Sequence, residues 1–530
     1  MTDKKSLVPI HLGGESRKEG FDASGAVGSL DTFAGKVHVR WVPEAAVSSH
    51  GLLPYFIEFL KVSGRFDAWV GDCPLEYTSG NAPRTRDVLG TILLSVLAGH
   101  WRYAHISAIR GDGVNPGLLG MTKVASEDSV RRAMKALDGE RSGPWLKRHL
   151  KASYEPLLEE PWALDMDTTV KVLYGHQEDA RVGYNPTKPG RPSHAIHSYF
   201  MANVRMVVDV EVQAGNQTAS SFAQPELWAL LDGLKQSGHT PSFLRGDCGW
   251  GTDRAMSGAE QRGVPYLFKL KQTAKVQKLI LRLFGRNEWV AAGQGWQGLD
   301  TELQLSGWDR RRRVVVLRRP LPEPDEAEKS SKPRAGRRPQ AKSAGQMTLG
   351  LPEAIYGGER YEYSVLVTSL GGEVLTLAQH YRDRGDAENN FDELKNQWGW
   401  AGFTTQDSKR CEVMARITAL IYNWWTIFMR LGIPDKHAEA ITSRPLAMNG
   451  IARQTTHANQ TTVEITSTHA KAAIIGEALI NVSRFLKHIS NTAEQFARPA
   501  RWSLILSAAF RFFLKGKVLG NTFQLAPATG

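Results

Sequence analysis

Cysteine is nearly absent: Cys73, Cys248 and Cys411 are dispersed and form no Cys-x-x-Cys pair. That excludes a disulfide framework and a zinc knuckle, and fits a reducing cytoplasm. No His-x3-His or comparable spacing accompanies His176 or His194, so both read as polar loop residues and not as metal ligands. Long apolar runs are missing too. The most apolar stretches, Ala419 to Met429 and Leu504 to Leu514, are too short and too interrupted to span a bilayer. The N-terminal MTDKKSLVPIHLGGESRKEG carries charge without the apolar centre of a signal peptide. The expectation is a soluble, cytoplasmic protein.

Positive charge is what the chain has in excess. Lys and Arg number 66 against 54 Asp and Glu, a net charge of +12. Such a balance favours a polyanionic partner, nucleic acid or an anionic membrane surface, although merely soluble basic proteins share it. With 42% hydrophobic and 23% charged residues, most of the 530 positions belong to a globular fold of more than one domain.

In chain order, residues 1–35 are polar and Gly/Ser-rich and read as a flexible tail, and KVHVRW (36–41) alternates like a short strand. Apolar-periodic segments follow near 52–62 and 88–98. SEDSVRRAMKAL (126–137) reads as a helix capped by Ser126, with Arg131, Arg132 and Lys135 on a basic face. It is either the second helix of a helix-turn-helix-like DNA reader or a basic surface helix.

From Trp162 the pattern becomes strands alternating with helices. In PWALDMDTTVKVLY (161–174), Asp165, Asp167 and Thr169 share one strand face. Acidic residues are depleted from strands, so this pair either caps an exposed edge or binds a cation. The loop 175–194 is rich in turn formers and carries Lys188 and Arg191. Asp247 ends a short apolar strand and enters a Gly-rich turn, and strand C-termini are where α/β sheets bind ligands. Further strands are expected near 301–305, 312–317 and 361–368, with a Pro-, Lys- and Arg-rich disordered loop at 320–345. Trp289, Trp296 and Trp308 lie in this region, and Arg310 to Arg313 beside Trp308 mark one end of it for DNA contact. Ala415–Met429 and two amphipathic segments, Ala470–Ile489 and Trp502–Leu514, are expected helices.

The most informative stretch is YRDRGDAENNFDELK (381–395). On one continuous helix Tyr381, Arg384, Glu388 and Lys395 fall within about 60° of each other. By itself this is an ordinary charged face with an i,i+4 ion pair. Its spacing, Tyr-x2-Arg-x3-Glu-x6-Lys, resembles the YREK signature of DDE transposases from bacterial insertion sequences. The resemblance covers about 160–430 and rests on three motifs in order. It implies that Asp167, Asp247 and Glu388 are the catalytic, metal-binding carboxylates. Asp167-Thr168-Thr169 resembles the family's Asp-x-Thr, which favours Asp167 over Asp165, while Asp392, one turn beyond Glu388, is the competitor for the third place.

The implied fold is α/β: a ribonuclease H-like (retroviral-integrase-like) catalytic core with a β-rich insertion, plus helical N- and C-terminal regions. The boundaries expected are 1–150 for DNA binding, 151–271 and 371–435 for the two parts of the core, 272–370 for the insertion, and 436–530 for a C-terminal region making dimer or DNA contacts. An all-oxygen donor set suits Mg²⁺, with Mn²⁺ able to substitute, at two ions per site. Tyr381, Arg384 and Lys395 would hold DNA phosphates, Lys188 and Arg191 could meet others, and a Trp from the insertion, such as Trp308, would stack on a flipped base. Core packing or surface scatter is nevertheless the better reading of any single one of Trp289, Trp296 and Trp308. The implied partners are transposon-end and target double-stranded DNA and a second copy in a homodimer. A nuclease without strand transfer and a non-catalytic DNA-binding derivative are the other readings.

Overall fold

The computed structural model describes residues 27–321, 361–491 and 498–520, apart from positions 41, 43, 78, 138, 187, 401 and 468. Residues 1–26 of the expected tail and 322–345 of the expected disordered loop lie outside these. The rest of that tail is not tail: β1 (Val27–Thr32) pairs antiparallel with β2 (Gly35–Arg40), the expected 36–41 strand.

After β3 (Ala46–Ser48) come α1 (Leu53–Ser63), α2 (Arg65–Gly71), α3 (Thr85–Leu97), α4 (Asn115–Leu118), α5 (Glu127–Ala136) and α6 (Gly139–Tyr154). Local signals explain several ends. A Pro sits in the first turn of α1, which stops on Gly64 at φ +66°, where a Cβ would be strained. Ser126 Oγ accepts the Ser129 N–H at 3.2 Å, giving α5 the cap its sequence promises.

The central unit is β4 (Ala163–Val172), β5 (Arg181–Val182), β6 (Pro192–Met201), β7 (Met206–Ala214), α7 (Ser220–Gln236), β8 (Phe243–Gly246), α8 (Asp253–Gln261) and β9 (Tyr266–Lys269). β4, β6 and β7 form an antiparallel meander, and β8 and β9 join β4 in parallel, giving the order β7-β6-β4-β8-β9. This is a ribonuclease H-like core. The parallel joins use helical crossovers, as parallel pairing requires.

After α9 (Ala274–Leu283), the insertion supplies β10 (Val290–Gly293), β11 (Trp296–Leu303), β12 (Arg312–Pro320) and β13 (Tyr361–Thr368). β13 pairs antiparallel with β9, so these strands extend the core sheet to ten strands and do not stand apart from it.

The chain continues through α10 (Val374–Arg382), α11 (Arg384–Asn396), α12 (Ser408–Gly432), α13 (Ala440–Ala447), β14 (Ile451–His457), β15 (Gln460–Thr466), α14 (Ala472–Asn491) and α15 (Arg498–Ala509). The β14–β15 hairpin, absent from the sequence expectations, pairs with β3 and so joins the two ends of the chain. Its strands are rich in Thr and largely exposed, and therefore lack a clear apolar alternation.

α12 is the hub. Its Asn423 accepts the Val207 N–H and donates to the Val207 carbonyl, both at 2.9 Å, so it satisfies the start of β7. Phe56 of α1 packs on Trp425 and Phe428 at 5.2 and 5.3 Å, and Trp69 of α2 on Trp424 at 5.7 Å. One buried cluster runs from the N-terminal helices through the sheet to α15. Packing therefore shows no break at residue 150, and the helices before it have no core of their own.

Candidate active site

β4 and β8 run parallel with Met166 opposite Gly246, so Asp167 and Asp247 come next along adjacent strands. At that edge the backbone of β8 turns sharply. Asp247 Oδ1 accepts the Gly249 N–H at 2.9 Å, and a Cβ on Gly246 would lie 2.7 Å from the buried Trp250 ring. The Gly-rich turn that the sequence displays is thus what brings the Asp247 carboxylate out beside Asp167.

The third carboxylate comes from α11, but the continuous helix expected from Tyr381 to Lys395 is broken. α10 ends at Arg382, Asp383 is its cap, and α11 starts at Arg384. Asp383 and Gly385 are residues that favour helix ends, which accounts for the break. Tyr381 accordingly belongs to α10, and Arg384, Glu388 and Lys395 to α11. The break does not disperse the side chains. Tyr381 feels the charges of Arg384, Asp247 and Glu388, and burial, aided by those carboxylates, raises its phenol well above the usual range. It is a neutral hydrogen-bonding group there.

Arg384 organises the site. Its side chain is only 8% exposed, and its guanidinium lies 3.3 Å from Asp167 Oδ1 and 2.5 Å from Glu388 Oε1. Burial opposes its charge, but Asp167, Tyr381, Glu388 and Asp247 together hold its pKa above the ordinary arginine value. Asp167 is pushed up to about 7, first by burial and then by Asp247 and Glu388, against the pull of Arg384 and the Thr168 backbone N–H. Negative charge is crowded here, and a protein cation bridges two of the carboxylates. Among the described residues no three His, Cys, Asp or Glu side chains are gathered closely enough to hold a metal ion. Glu388, 60% exposed, is turned to Arg384. A set of carboxylate oxygens already bracketing one cation fits a hard divalent ion by its chemistry.

The alternatives separate by environment. Asp165 is 1% exposed and accepts Arg245 Nε at 2.5 Å and Nη2 at 2.7 Å, so its oxygens are committed to an ion pair. Asp392 is exposed and accepts the Asn396 amide at 2.6 Å. Glu393 is buried, bonded to Trp398, His437 and the Ala440 N–H.

The expected DNA-facing residues fare differently. Lys395 stands two turns beyond Glu388, about 10 Å along the helix axis. Lys188 donates to the Tyr174 hydroxyl at 2.6 Å, and Arg191 lies over the same exposed ring at 5.5 Å. Arg131 and Arg132 are exposed on α5, Arg131 lying over Tyr103. Trp308 runs against expectation: it is buried, with Arg312 over its ring, and so faces the core and not solvent. Arg312 and Arg313 are likewise held in ion pairs with Asp253, Glu260 and Asp300. Trp289 and Trp296 are partly buried and covered by Arg318 and Arg319. Sequence reasoning missed Arg245, although an arginine inside the apolar strand Phe243–Gly246 is itself a signal.

With this geometry in view, comparison with known proteins gives the class. The transposase DDE domain family matches residues 159–424, and the chain belongs to that family. It is therefore a DNA transposase, of a family that depends in general on divalent metal. One solved structure similar to it is a cryo-EM structure of the piggyBac transposase synaptic complex with hairpin DNA, at 9% identity and a TM-score of 0.36, over 92% of this chain and 90% of that one. No curated protein matches the chain.

Proposed function

We propose that this is a cut-and-paste transposase of the YREK type, from a bacterial insertion sequence, that cleaves transposon ends and joins their 3′ ends to target DNA. The observation that carries this reading is the Asp167–Arg384–Glu388 bridge beside Asp247, which unites residues from a strand, a strand end and a helix. Asp167, Asp247 and Glu388 would hold Mg²⁺, or Mn²⁺ in its place, as two ions. Metal held there would supply Lewis-acid stabilisation to the attacking and leaving oxygens of a phosphodiester.

The chain's own groups bind and orient the DNA. Arg384 offers a planar fork to a phosphate once it leaves the carboxylates, and the neutral Tyr381 phenol donates a hydrogen bond. Lys395 extends the contact along the duplex, and Lys188 and Arg191 flank it from the loop between β5 and β6. The exposed basic face of α5, with Arg131 and Arg132, reads the transposon end or its backbone. Two copies act together, each cutting one end.

Substitution separates the two aspartates of β4. Asp167→Asn should abolish cleavage of labelled transposon-end DNA, leave end binding in place and keep the melting temperature. Asp165→Asn should leave cleavage measurable at low temperature but destabilise the fold by about 3–5 kcal/mol, because Arg245 is left buried without its partner. An active Asp167→Asn protein would sink the assignment. Cleavage without joining to a target plasmid would instead favour a nuclease.

A further inference from the structure

We propose that Arg245 is a positioning residue that fastens α10, the helix that leads into the Glu388-bearing α11, to the strand that carries Asp167 and to its own strand, which ends at Asp247. The inference rests on the three-carboxylate reading above.

Arg245 is 3% exposed and spends three of its N–H groups on two different elements. Nε and Nη2 grip both oxygens of Asp165 on β4, and Nη1 donates to the His380 carbonyl in the last turn of α10. Each anchor lies next to a site residue. Asp165 is two residues before Asp167 on β4 and shares its face by strand alternation, and Arg245 is two residues before Asp247, which follows the end of β8. His380 directly precedes Tyr381, and α11 with Arg384 and Glu388 follows after the single residue between the helices. The helix is held on the sheet from above as well. Val374, Leu377 and Ala378 pack into a small second core with Phe243 and Leu267, and the Phe243 ring lies 5.2 Å from that of His380.

A buried ion pair does not account for its own presence by stability alone. Well-packed apolar residues of similar volume commonly serve as well or better, because removing two charges from water is costly. What an apolar substitute cannot do is fix one backbone carbonyl relative to one carboxylate at hydrogen-bonding distances. The planar guanidinium does so across three elements at once. Asp167 and Asp247 are held by the sheet itself, whereas Glu388 is held by a helix that must be registered onto that sheet. Outer-shell groups of this kind set metal affinity through the ligand they orient. Arg245 acts through Glu388.

The test is a double-mutant cycle on the full chain, read by Mn²⁺ titration with electron paramagnetic resonance, with circular dichroism melts alongside. Arg245→Lys keeps a cation beside Asp165 but cannot span both partners. It is expected to weaken Mn²⁺ binding about tenfold when Glu388 is present and by less than about twofold in a Glu388→Gln background. The neutral double variant Asp165→Asn/Arg245→Gln leaves no buried charge unpaired, and should show the same dependence on Glu388 if Arg245→Lys does not fold. Equal weakening in both backgrounds, or none in the first, overturns the positioning role while leaving the carboxylate reading intact. If Glu388→Gln alone leaves Mn²⁺ binding unchanged, the three-carboxylate reading falls and takes the inference with it.

Discussion

Arg384 occupies, in the protein alone, the place between Asp167 and Glu388 where the proposed function needs a divalent ion. Its guanidinium and the metal are then competitors, and a DNA phosphate is the group that can draw the arginine away. Arg384→Gln should raise the Mn²⁺ affinity of DNA-free protein about tenfold, the scale of one charge-assisted contact, and lower affinity for transposon-end DNA. Fluorescence anisotropy and calorimetry would read the two effects, and unchanged metal affinity would mean that the bridge does not compete. A second residue carries a pH dependence. Glu211 is pushed up to about 8 by burial first, and then by Glu226 and Glu412, against the pull of Arg416. A carboxyl raised from its ordinary value of 4.5 contributes stability below that value and loses it as pH rises through the folded value. The melting temperature should therefore fall between about pH 5 and pH 9, and Glu211→Gln should flatten that slope. A steeper slope in the variant would refute the assignment.

At the scale of elements, the core strands were legible because burial imposes a period of two. The two acidic residues on β4 stand out in the sequence because strands seldom carry them, but only the structure separates them: Asp165 is committed to Arg245, while Asp167 faces Arg384. The break at Asp383 differs from the continuous helix that the spacing predicts: the four signature residues fit one helix face closely, while Asp383 and Gly385 between them favour helix ends. Trp308 is ambiguous in the sequence for a related reason, and in the structure it is buried. A tryptophan beside four arginines looks like a nucleic-acid surface, yet three of those arginines, Arg310, Arg312 and Arg313, are paired with Asp253, Glu260 and Asp300. Ion pairs between residues distant in sequence cannot be read from local charge runs. Arg245 was passed over because its partners are a residue eighty positions away and a backbone carbonyl. The helix break supplies a further prediction. Gly385 lies in the first turn of α11 with open space where a Cβ would sit. Gly385→Ala should stabilise the protein by about 0.5–1 kcal/mol in thermal or urea unfolding. A destabilised variant would mean that the start of α11 needs glycine's freedom.

For the whole molecule, one core joining both ends of the chain changes how cooperation between copies has to be tested. On the proposed cut-and-paste function two ends would be cut and joined to one target, with one proposed carboxylate set per chain, so the active form is expected to be a homodimer. α14 exposes Ile474 and Ile480, and Ile474 lines a groove of about 470 Å³ with Leu431, Val482 and Phe485. Ile474→Glu should leave the monomer folded and shift it out of dimers in analytical ultracentrifugation. If DNA held by one copy is cut by the other, end recognition and chemistry can be supplied by different chains. Deleting residues 1–150 to remove recognition would instead destroy the shared core, because Phe56, Trp69 and Trp145 pack into it. Surface substitutions avoid this, since Arg131 and Arg132 are exposed on α5. An Arg131→Glu/Arg132→Glu protein should bind ends poorly, and a Glu388→Gln protein should bind but not cut. Mixed on paired-end DNA, the two should cleave where neither does alone. Co-assembly on DNA without cleavage would assign each end to the copy that binds it.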